Sequence, residues 1–255
     1  MSLGLRLHAT IVPAIHINRE FFAMFTAVLG TTISPYLFFW QASQEAEEVA
    51  VNKDEQPLKR RPDQAEHQLN RVRVDTYVGM GVSNVVAFFI ILTTAATLHQ
   101  AGILDVETSA QAAKALEPIA GRFAFLLFAV GIVGTGLLAV PVLAGSAAYG
   151  VAETFKWRAS LQKKLEQAPR FYVILAAATL LGLALNFMKV DPIQALFWSA
   201  IINGVVAVPV MVVTMLLASN RKVMGQFVIP TGLRSIGWIA TVVMALASVG
   251  LFATL

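Results

Sequence analysis

The sequence predicts an all-α integral membrane protein, on three observations. Of its 255 residues, 57% are hydrophobic and 13% are charged, whereas soluble domains carry about 25% charged residues. Six apolar stretches are long enough to cross a bilayer, whose hydrocarbon core about 30 Å thick requires roughly 20 helical residues. Lys and Arg lie mainly in alternate loops between these stretches. This composition excludes an ordinary soluble enzyme and a disordered chain.

The predicted elements follow the apolar stretches in order. We expect an external lead segment over residues 1–20, which is only partly apolar and lacks the cleavage site of a signal peptide. The membrane domain then covers residues 21–255. Residues 43–77 are predicted to form a solvated cytoplasmic loop of mixed charge, and residues 99–120 an external hairpin with a short helix. The six predicted helices span residues 21–42, 78–98, 121–150, 171–188, 193–218 and 234–254.

The distribution of basic residues orients these helices. The segments 43–77, 151–170 and 219–234 contain 14 of the 19 Lys and Arg residues. Because basic loops stay on the cytoplasmic side, both termini are predicted to be external, and the first helix enters from outside. An external start without a signal peptide indicates that a further segment precedes Met1 in the complete protein. The loops account for the net charge of +4, so no nucleic acid partner is expected.

The first span is interrupted at its middle by the segment Gly-Thr-Thr-Ile-Ser-Pro, residues 30–35. Pro35 has no N–H and its ring clashes with the carbonyl of Thr31, while Ser34 is pushed out of the helical region. Gly30 adds backbone freedom. An unwound segment at mid-bilayer is typical of the ion and substrate sites of secondary transporters. A simple proline kink, closed by Ser or Thr hydroxyls, explains the composition equally well.

Polar and small residues elsewhere in the spans give weaker indications. Asn203 lies in the fifth apolar stretch and is expected to face a helix interface, with packing favoured over ligand binding. Gly131, Gly134 and Gly136 predict close helix packing of the third span. No ionisable residue lies near the centre of a span, and no nucleophile–base pair is evident. We therefore expect neither an enzyme nor a resident cofactor, and no complete ion site from this chain alone.

Four segments of the chain share a recognisable family pattern. They are GTTISPYLFFWQASQE over residues 30–45, SNVVAFFIILTTAA over residues 83–96, LFAVGIVGTGLLAVPVLAGSAAY over residues 127–149 and AIING over residues 200–204. These segments resemble the Nramp family of divalent-metal transporters, and more specifically its branch of Nramp-related magnesium transporters. The first of them resembles the sixth transmembrane segment of that family. The resemblance covers essentially the whole chain.

The resemblance implies a LeuT-like fold of two inverted five-helix repeats, in which the first helix of each repeat is broken. This chain then resembles segments six to eleven, that is, the second inverted repeat plus one extra helix. The first repeat is missing, and with it the Asp-Pro-Gly motif that supplies the family's metal-binding carboxylate. We therefore expect a C-terminal fragment whose partner is the missing N-terminal repeat, in the same or a separate chain. The implied location is a cell membrane, crossed several times and in contact with lipid, of the bacterial inner membrane type.

The resemblance also implies roles for residues at the break in the first span. The family's metal-coordinating carbonyl falls at Thr31, its metal-binding methionine at Ser34 and its histidine at Tyr36. Asn203 is a neighbour of the family's ligand in the tenth segment. Thr31 and Ser34 are thus the expected metal ligands, and Tyr36 and Asn203 the expected pathway residues.

These departures from the family pattern bear on the transported ion. A Ser hydroxyl in place of a thioether suits a hard cation such as Mg²⁺, and Tyr in place of His removes a group that titrates near neutral pH. The resemblance therefore implies transport of Mg²⁺ or Mn²⁺ by alternating access. The alternatives are a proton-coupled importer of Mn²⁺ and Fe²⁺, and a non-transporting half-transporter that acts as a remnant or scaffold.

Overall fold

The computed structural model describes residues 18–52, 55–99, 102–103, 106, 108–188 and 191–254. These residues are almost entirely helical and contain no strand, which confirms the predicted all-α fold class. The predicted lead over residues 1–20 lies outside the described residues except at its end, where the Asn18 side chain caps the first helix. The long helices are α1 (Arg19–Thr32), α2 (Pro35–Val51), α3 (Ala65–Thr94), α4 (Ala124–Thr154), α5 (Pro169–Leu185), α6 (Pro192–Ala218) and α7 (Thr231–Ala253).

Within the described residues, five stretches are long and apolar enough to cross a membrane, and each corresponds to a predicted span. They are Arg19–Val51, Pro62–Leu98, Gly121–Thr154, Pro192–Ala218 and Thr231–Ala253. The remaining predicted span, residues 171–188, forms the shorter apolar helix α5 followed by the 3₁₀ turn Asn186–Met188. The 17 residues of α5 extend about 26 Å at the rise of an α-helix.

The loop predicted over residues 43–77 is much shorter in the structure. Helix α2 continues to Val51 and helix α3 begins at Ala65, preceded by the 3₁₀ turn Pro62–Gln64. The residues after position 42 are mostly Ala, Glu and Gln, which favour a helix and contain no breaker. Arg71 on α3 reaches back to α2, where its guanidinium lies 2.7 Å from a Glu48 carboxylate oxygen. Half of the charged residues of this segment therefore lie on two paired helices, α2 and α3.

Short helical elements form the end of the predicted hairpin that precedes α4. Thr108 and Gln111 form a reciprocal capping box at the start of the helix Ser109–Ala113. The 3₁₀ turn Lys114–Leu116 and the helical turn Glu117–Ala120 follow it. The helical content expected of the hairpin is thus present.

The described chain divides into two compact units, of which the first contains residues 18–34 and 197–254. In this unit α1, α7 and most of α6 pack together through small and apolar side chains. One cluster contains Ala27, Ala200 and Leu251, and a second contains Ala207, Met211 and Met244. The break after α1 lies at the end of this unit.

The second unit covers residues 35–196 and contains α2 to α5. Its core lies where α4 and α5 meet and includes the buried side chains of Ala148, Tyr149, Ala152 and Phe171. The predicted close packing at Gly131, Gly134 and Gly136 is not made within the described chain, because a Cβ at any of them would meet nothing within 4 Å.

Candidate cation site at the break between α1 and α2

The predicted break in the first span is present. Helix α1 ends at Thr32, and helix α2 begins at Pro35. Ile33 leaves the helical region with φ −108° and ψ 81°, although its N–H still donates to the carbonyl of Leu29 at 2.8 Å. Pro35 has no N–H for the carbonyl of Thr31, so the helical bonding pattern cannot pass this point.

The carbonyls at the end of α1 are left to a side chain. The Ser34 hydroxyl donates to the carbonyl oxygen of Thr31 at 3.1 Å and more weakly to that of Gly30 at 3.5 Å. Among the residues that the structure describes, no backbone N–H reaches either carbonyl. The threonine hydroxyls at positions 31 and 32 instead donate to the carbonyl of Val28, at 2.8 Å and 3.0 Å. The break thus presents neutral oxygen atoms at two adjacent positions.

The structure brings together two of the four residues that the sequence singled out. Thr31 and Ser34 are joined by the hydrogen bond above, with Ser34 only 6% exposed and Thr31 exposed. Tyr36 is half-buried in the first turn of α2, and Asn203 is half-buried on α6. Neither of these two side chains makes a hydrogen bond within the described part of the chain. Their predicted role in a cation pathway stays a prediction.

Glycine is required at position 30 by a close helix contact, and not by the backbone freedom that the sequence suggested. Its φ is not in the left-handed region, but α1 and α6 touch here through their backbones. A Cβ on Gly30 would meet the carbonyl oxygen of Ala200 and would lie 2.5 Å from the backbone nitrogen of Gly204. A Cβ on Gly204 would lie 2.6 Å from the carbonyl oxygen of Thr26. The two glycines allow the close helix contact that places the break against α6.

The break carries no carboxylate of its own. Across the described residues, no group of three or more His, Cys, Asp or Glu side chains is placed to hold a metal ion. The oxygen atoms of Thr31 and Ser34 are uncharged, hard ligands of the kind used by Mg²⁺ and similar cations. They can contribute to a cation site but do not complete one.

A polar network that the sequence analysis missed ties α2 to α4. The buried Tyr149 hydroxyl donates to a Glu47 carboxylate oxygen at 2.7 Å. It accepts from the Gln44 amide at 3.2 Å and from the Leu161 N–H at 3.1 Å. Ser43 is buried one residue before Gln44, and its hydroxyl donates to Glu153 at 2.7 Å.

Aromatic packing reinforces this network. The ring of Trp40 meets that of Tyr149 edge to face, with ring centres 5.9 Å apart. A Cβ on Gly145 would collide with the Trp40 ring, so glycine at that position of α4 leaves room for the ring as it is placed. Ser43, Gln44 and Glu47 lie on one side of α2, which continues to Val51. The sequence prediction ended this helix at residue 42, so the shared position of the three polar side chains could not be recognised from it.

These features define a multi-pass helical membrane protein whose first span is discontinuous and presents neutral oxygen atoms at the discontinuity. The chain belongs to the Nramp family, since the family profile described as "Natural resistance-associated macrophage protein-like" matches residues 2–254.

Similar proteins from bacteria are described as "Divalent metal cation transporter MntH". The one from Klebsiella pneumoniae subsp. pneumoniae is 26% identical over 232 residues, which cover 90% of this chain and 50% of the relative. The one from Deinococcus radiodurans is 29% identical over 220 residues, or 85% of this chain and 46% of the relative. The one from Caldanaerobacter subterraneus is 25% identical over 252 residues, which cover 98% of this chain and 55% of the relative. The chain therefore spans about half the length of the curated relatives it matches.

Proposed function

We propose that this chain takes part in the transport of a divalent metal cation across the membrane by alternating access. It contributes the C-terminal portion of the permease, and the cation binds at the break between α1 and α2. The observation that carries this proposal is the pair of oxygen atoms at the break, the Ser34 hydroxyl and the Thr31 carbonyl, which lie 3.1 Å apart. The names of the bacterial relatives support it.

The spacing of the two oxygen atoms suits a small octahedral cation. Ligands about 2.1 Å from Mg²⁺ place adjacent oxygen atoms about 3.0 Å from one another. The Ser34 hydroxyl needs only to turn its proton away from the Thr31 carbonyl for both oxygens to face the same ion. Mg²⁺ dehydrates reluctantly and keeps several waters, so two protein oxygens are a sufficient contribution from this segment. We propose Mg²⁺ as the preferred cargo, with Mn²⁺ as the second.

A change at Ser34 tests both the site and the choice of ion. Ser34→Met replaces a hard oxygen by a thioether, which prefers softer cations. In liposomes that contain the complete protein, we expect the ratio of Cd²⁺ flux to Mg²⁺ flux to rise at least about tenfold. Thr32→Met is the matched control, because it adds the same group two residues away, where the side chain is exposed.

Two outcomes would contradict the proposal. The flux ratio of Ser34→Met could equal that of Thr32→Met, which would place the cation elsewhere. Alternatively, Ser34→Ala could transport Mg²⁺ at the original rate, although it removes the hydroxyl without adding bulk to a buried position. Acidification of the liposome lumen during uptake would favour the proton-coupled import of Mn²⁺ and Fe²⁺. Cation binding without any flux would favour a non-transporting role.

We further propose that the remaining ligands come from the family's other repeat, in the same or a separate chain. The support for this is the share of the relatives that the chain covers and the open glycine positions of α3. At Gly79 and Gly81, an added Cβ would meet nothing within 4 Å. The intact mass of the protein purified from its own membrane distinguishes the two arrangements. If the other repeat belongs to the same chain, the mass is well above 27.5 kDa; if it is a separate chain, a species of 27.5 kDa is found.

A further inference from the structure

The segment between α4 and α5 is strongly basic. Residues 155–170 contain five basic side chains, all exposed, and a single acidic one, Glu166. Among the described residues, none of the five takes part in an ion pair. They are Lys156, Arg158, Lys163, Lys164 and Arg170. An unneutralised basic segment at the ends of two apolar helices lies where a membrane presents its headgroups.

Three of these cations surround a cavity of about 290 Å³. Lys156, Arg158 and Arg170 line it together with Trp157 and Gln167. The Arg170 guanidinium lies 5.1 Å above the centre of the Trp157 ring, which holds that cation at the cavity wall. Tryptophan prefers the boundary between headgroups and hydrocarbon, so the cavity has the composition expected at that depth.

Lys156 occupies a backbone conformation that favours glycine. Its φ of 55° lies in the left-handed region, and it ends α4 with two reversed bonds typical of a glycine-terminated helix. The Lys156 N–H donates to the carbonyl of Glu153 at 3.1 Å, and the Trp157 N–H to that of Ala152 at 2.7 Å. A lysine is strained here where glycine is not, and such strain is found where a side chain has a function.

An apolar groove of about 500 Å³ lies between the same two helices. Ala144 of α4 and Ala178 of α5 line it, with Gly182 farther along α5. Ala144 and Ala178 lie ten and nine residues from the loop ends of their helices, which is about 15 Å. The groove therefore begins at about the depth of one leaflet of a hydrocarbon core about 30 Å thick, which is where the end of an acyl chain lies. The Thr179 hydroxyl, also at the groove, donates to the carbonyl of Leu175 and leaves the groove apolar.

We propose that the pair α4 and α5 binds one anionic phospholipid of the surrounding bilayer. Its phosphate lies among Lys156, Arg158 and Arg170, and the end of an acyl chain reaches the groove beside Ala178 and Gly182. Two exposed apolar side chains of the same segment, Phe155 and Leu165, are each 61% exposed and favour contact with lipid over contact with a soluble acidic partner. This inference does not depend on the proposed transport function.

The test measures lipid binding to the complete protein in an uncharged detergent by native mass spectrometry. The probes are phosphatidylglycerol, phosphatidylcholine with the same acyl chains, and glycerol phosphate. We expect phosphatidylglycerol to bind at least about tenfold more tightly than phosphatidylcholine. The double variant Arg158→Gln/Arg170→Gln should weaken phosphatidylglycerol binding about 30-fold, since each basic group at the headgroup contributes comparably.

The matched control is Lys163→Gln/Lys164→Gln, which removes two charges from the same segment but from outside the cavity. We expect it to weaken binding less than about threefold. Gly182→Leu fills the groove and keeps every charge, and it should also weaken binding of the lipid. The added Cβ meets nothing within 4 Å, and the unfolding midpoint of the variant, measured alongside, checks that the fold is kept.

Each remaining outcome overturns the proposal. Equal losses in the two charge variants would indicate diffuse attraction rather than a site. Equal affinity for phosphatidylglycerol and phosphatidylcholine would mean that the protein does not recognise the headgroup. Unchanged affinity of Gly182→Leu for phosphatidylglycerol would mean that the acyl chain does not bind in the groove. Displacement of the lipid by an equal concentration of glycerol phosphate would assign the cavity to a free phosphate compound.

Discussion

Replacing Gly30 by alanine should separate α1 from α6. The added Cβ would meet the carbonyl oxygen of Ala200 and would lie 2.5 Å and 2.9 Å from the backbone nitrogen and Cα of Gly204. These are backbone atoms of a long helix, so no side chain can turn away to make room. Ordinary van der Waals contact begins near 3.4 Å, so the two helices must move apart by about 1 Å.

The size of the effect follows from two opposing contributions. Overpacking at a close contact costs about 1–3 kcal/mol, whereas alanine in a helix gains up to about 1 kcal/mol over glycine. We therefore expect Gly30→Ala to lower the free energy of unfolding by about 1–2 kcal/mol. Because the Ser34 hydroxyl donates to the carbonyls of Gly30 and Thr31, cation flux should fall as well.

The assay is the unfolding midpoint of the detergent-solubilised protein, followed by circular dichroism, with flux measured in liposomes. Gly136→Ala is the matched control, because it makes the same change within a long apolar helix where a Cβ meets nothing within 4 Å. We expect the control to be as stable as the original protein, or more stable. The reasoning is refuted if Gly30→Ala unfolds at the same midpoint as Gly136→Ala.

Three further changes test the second unit by the same unfolding assay. Tyr149→Phe removes a hydroxyl that makes three hydrogen bonds, so a loss of about 2–3 kcal/mol is expected, and a loss below about 0.5 kcal/mol would contradict the network. Lys156→Gly relieves a left-handed conformation and should stabilise the protein by about 1 kcal/mol while weakening phosphatidylglycerol binding; lower stability would disprove the strain. Ser43→Ala removes the hydroxyl that donates to Glu153 and should cost about 1 kcal/mol, an effect that should disappear when Glu153→Ala is already present.

The break in the first span could be predicted because its cause is local. Pro35 lacks the N–H that the carbonyl of Thr31 requires, and Ser34 precedes a proline, so the interruption follows from three neighbouring residues. The chain order of the apolar spans could be predicted for a similar reason, since each span is a continuous run. The roles of Thr31, Ser34, Tyr36 and Asn203 came from a family resemblance and stay predictions.

Features that depend on distant partners could not be predicted in this way. Glu47 and Tyr149 are 102 residues apart in sequence, and their pairing requires both helix ends to be in place. The need for glycine at position 30 arises from Ala200 and Gly204 on another helix, which no local pattern reveals. The loop over residues 43–77 was predicted too long because its charged residues were interpreted as solvent-exposed loop residues. In the structure some of them lie on α2 and α3 and form ion pairs between the two helices.

The unequal lengths of two neighbouring helices have a consequence for the membrane around them. Helix α5 has 17 residues beside the 31 residues of α4, which corresponds to about 26 Å against about 46 Å. A helix shorter than the hydrocarbon core is accommodated by local thinning of the bilayer, at a fraction of a kcal/mol for each Å of mismatch. Lipids with longer acyl chains should therefore destabilise the α5 side of the protein selectively, so that bilayer thickness itself acts on this fold.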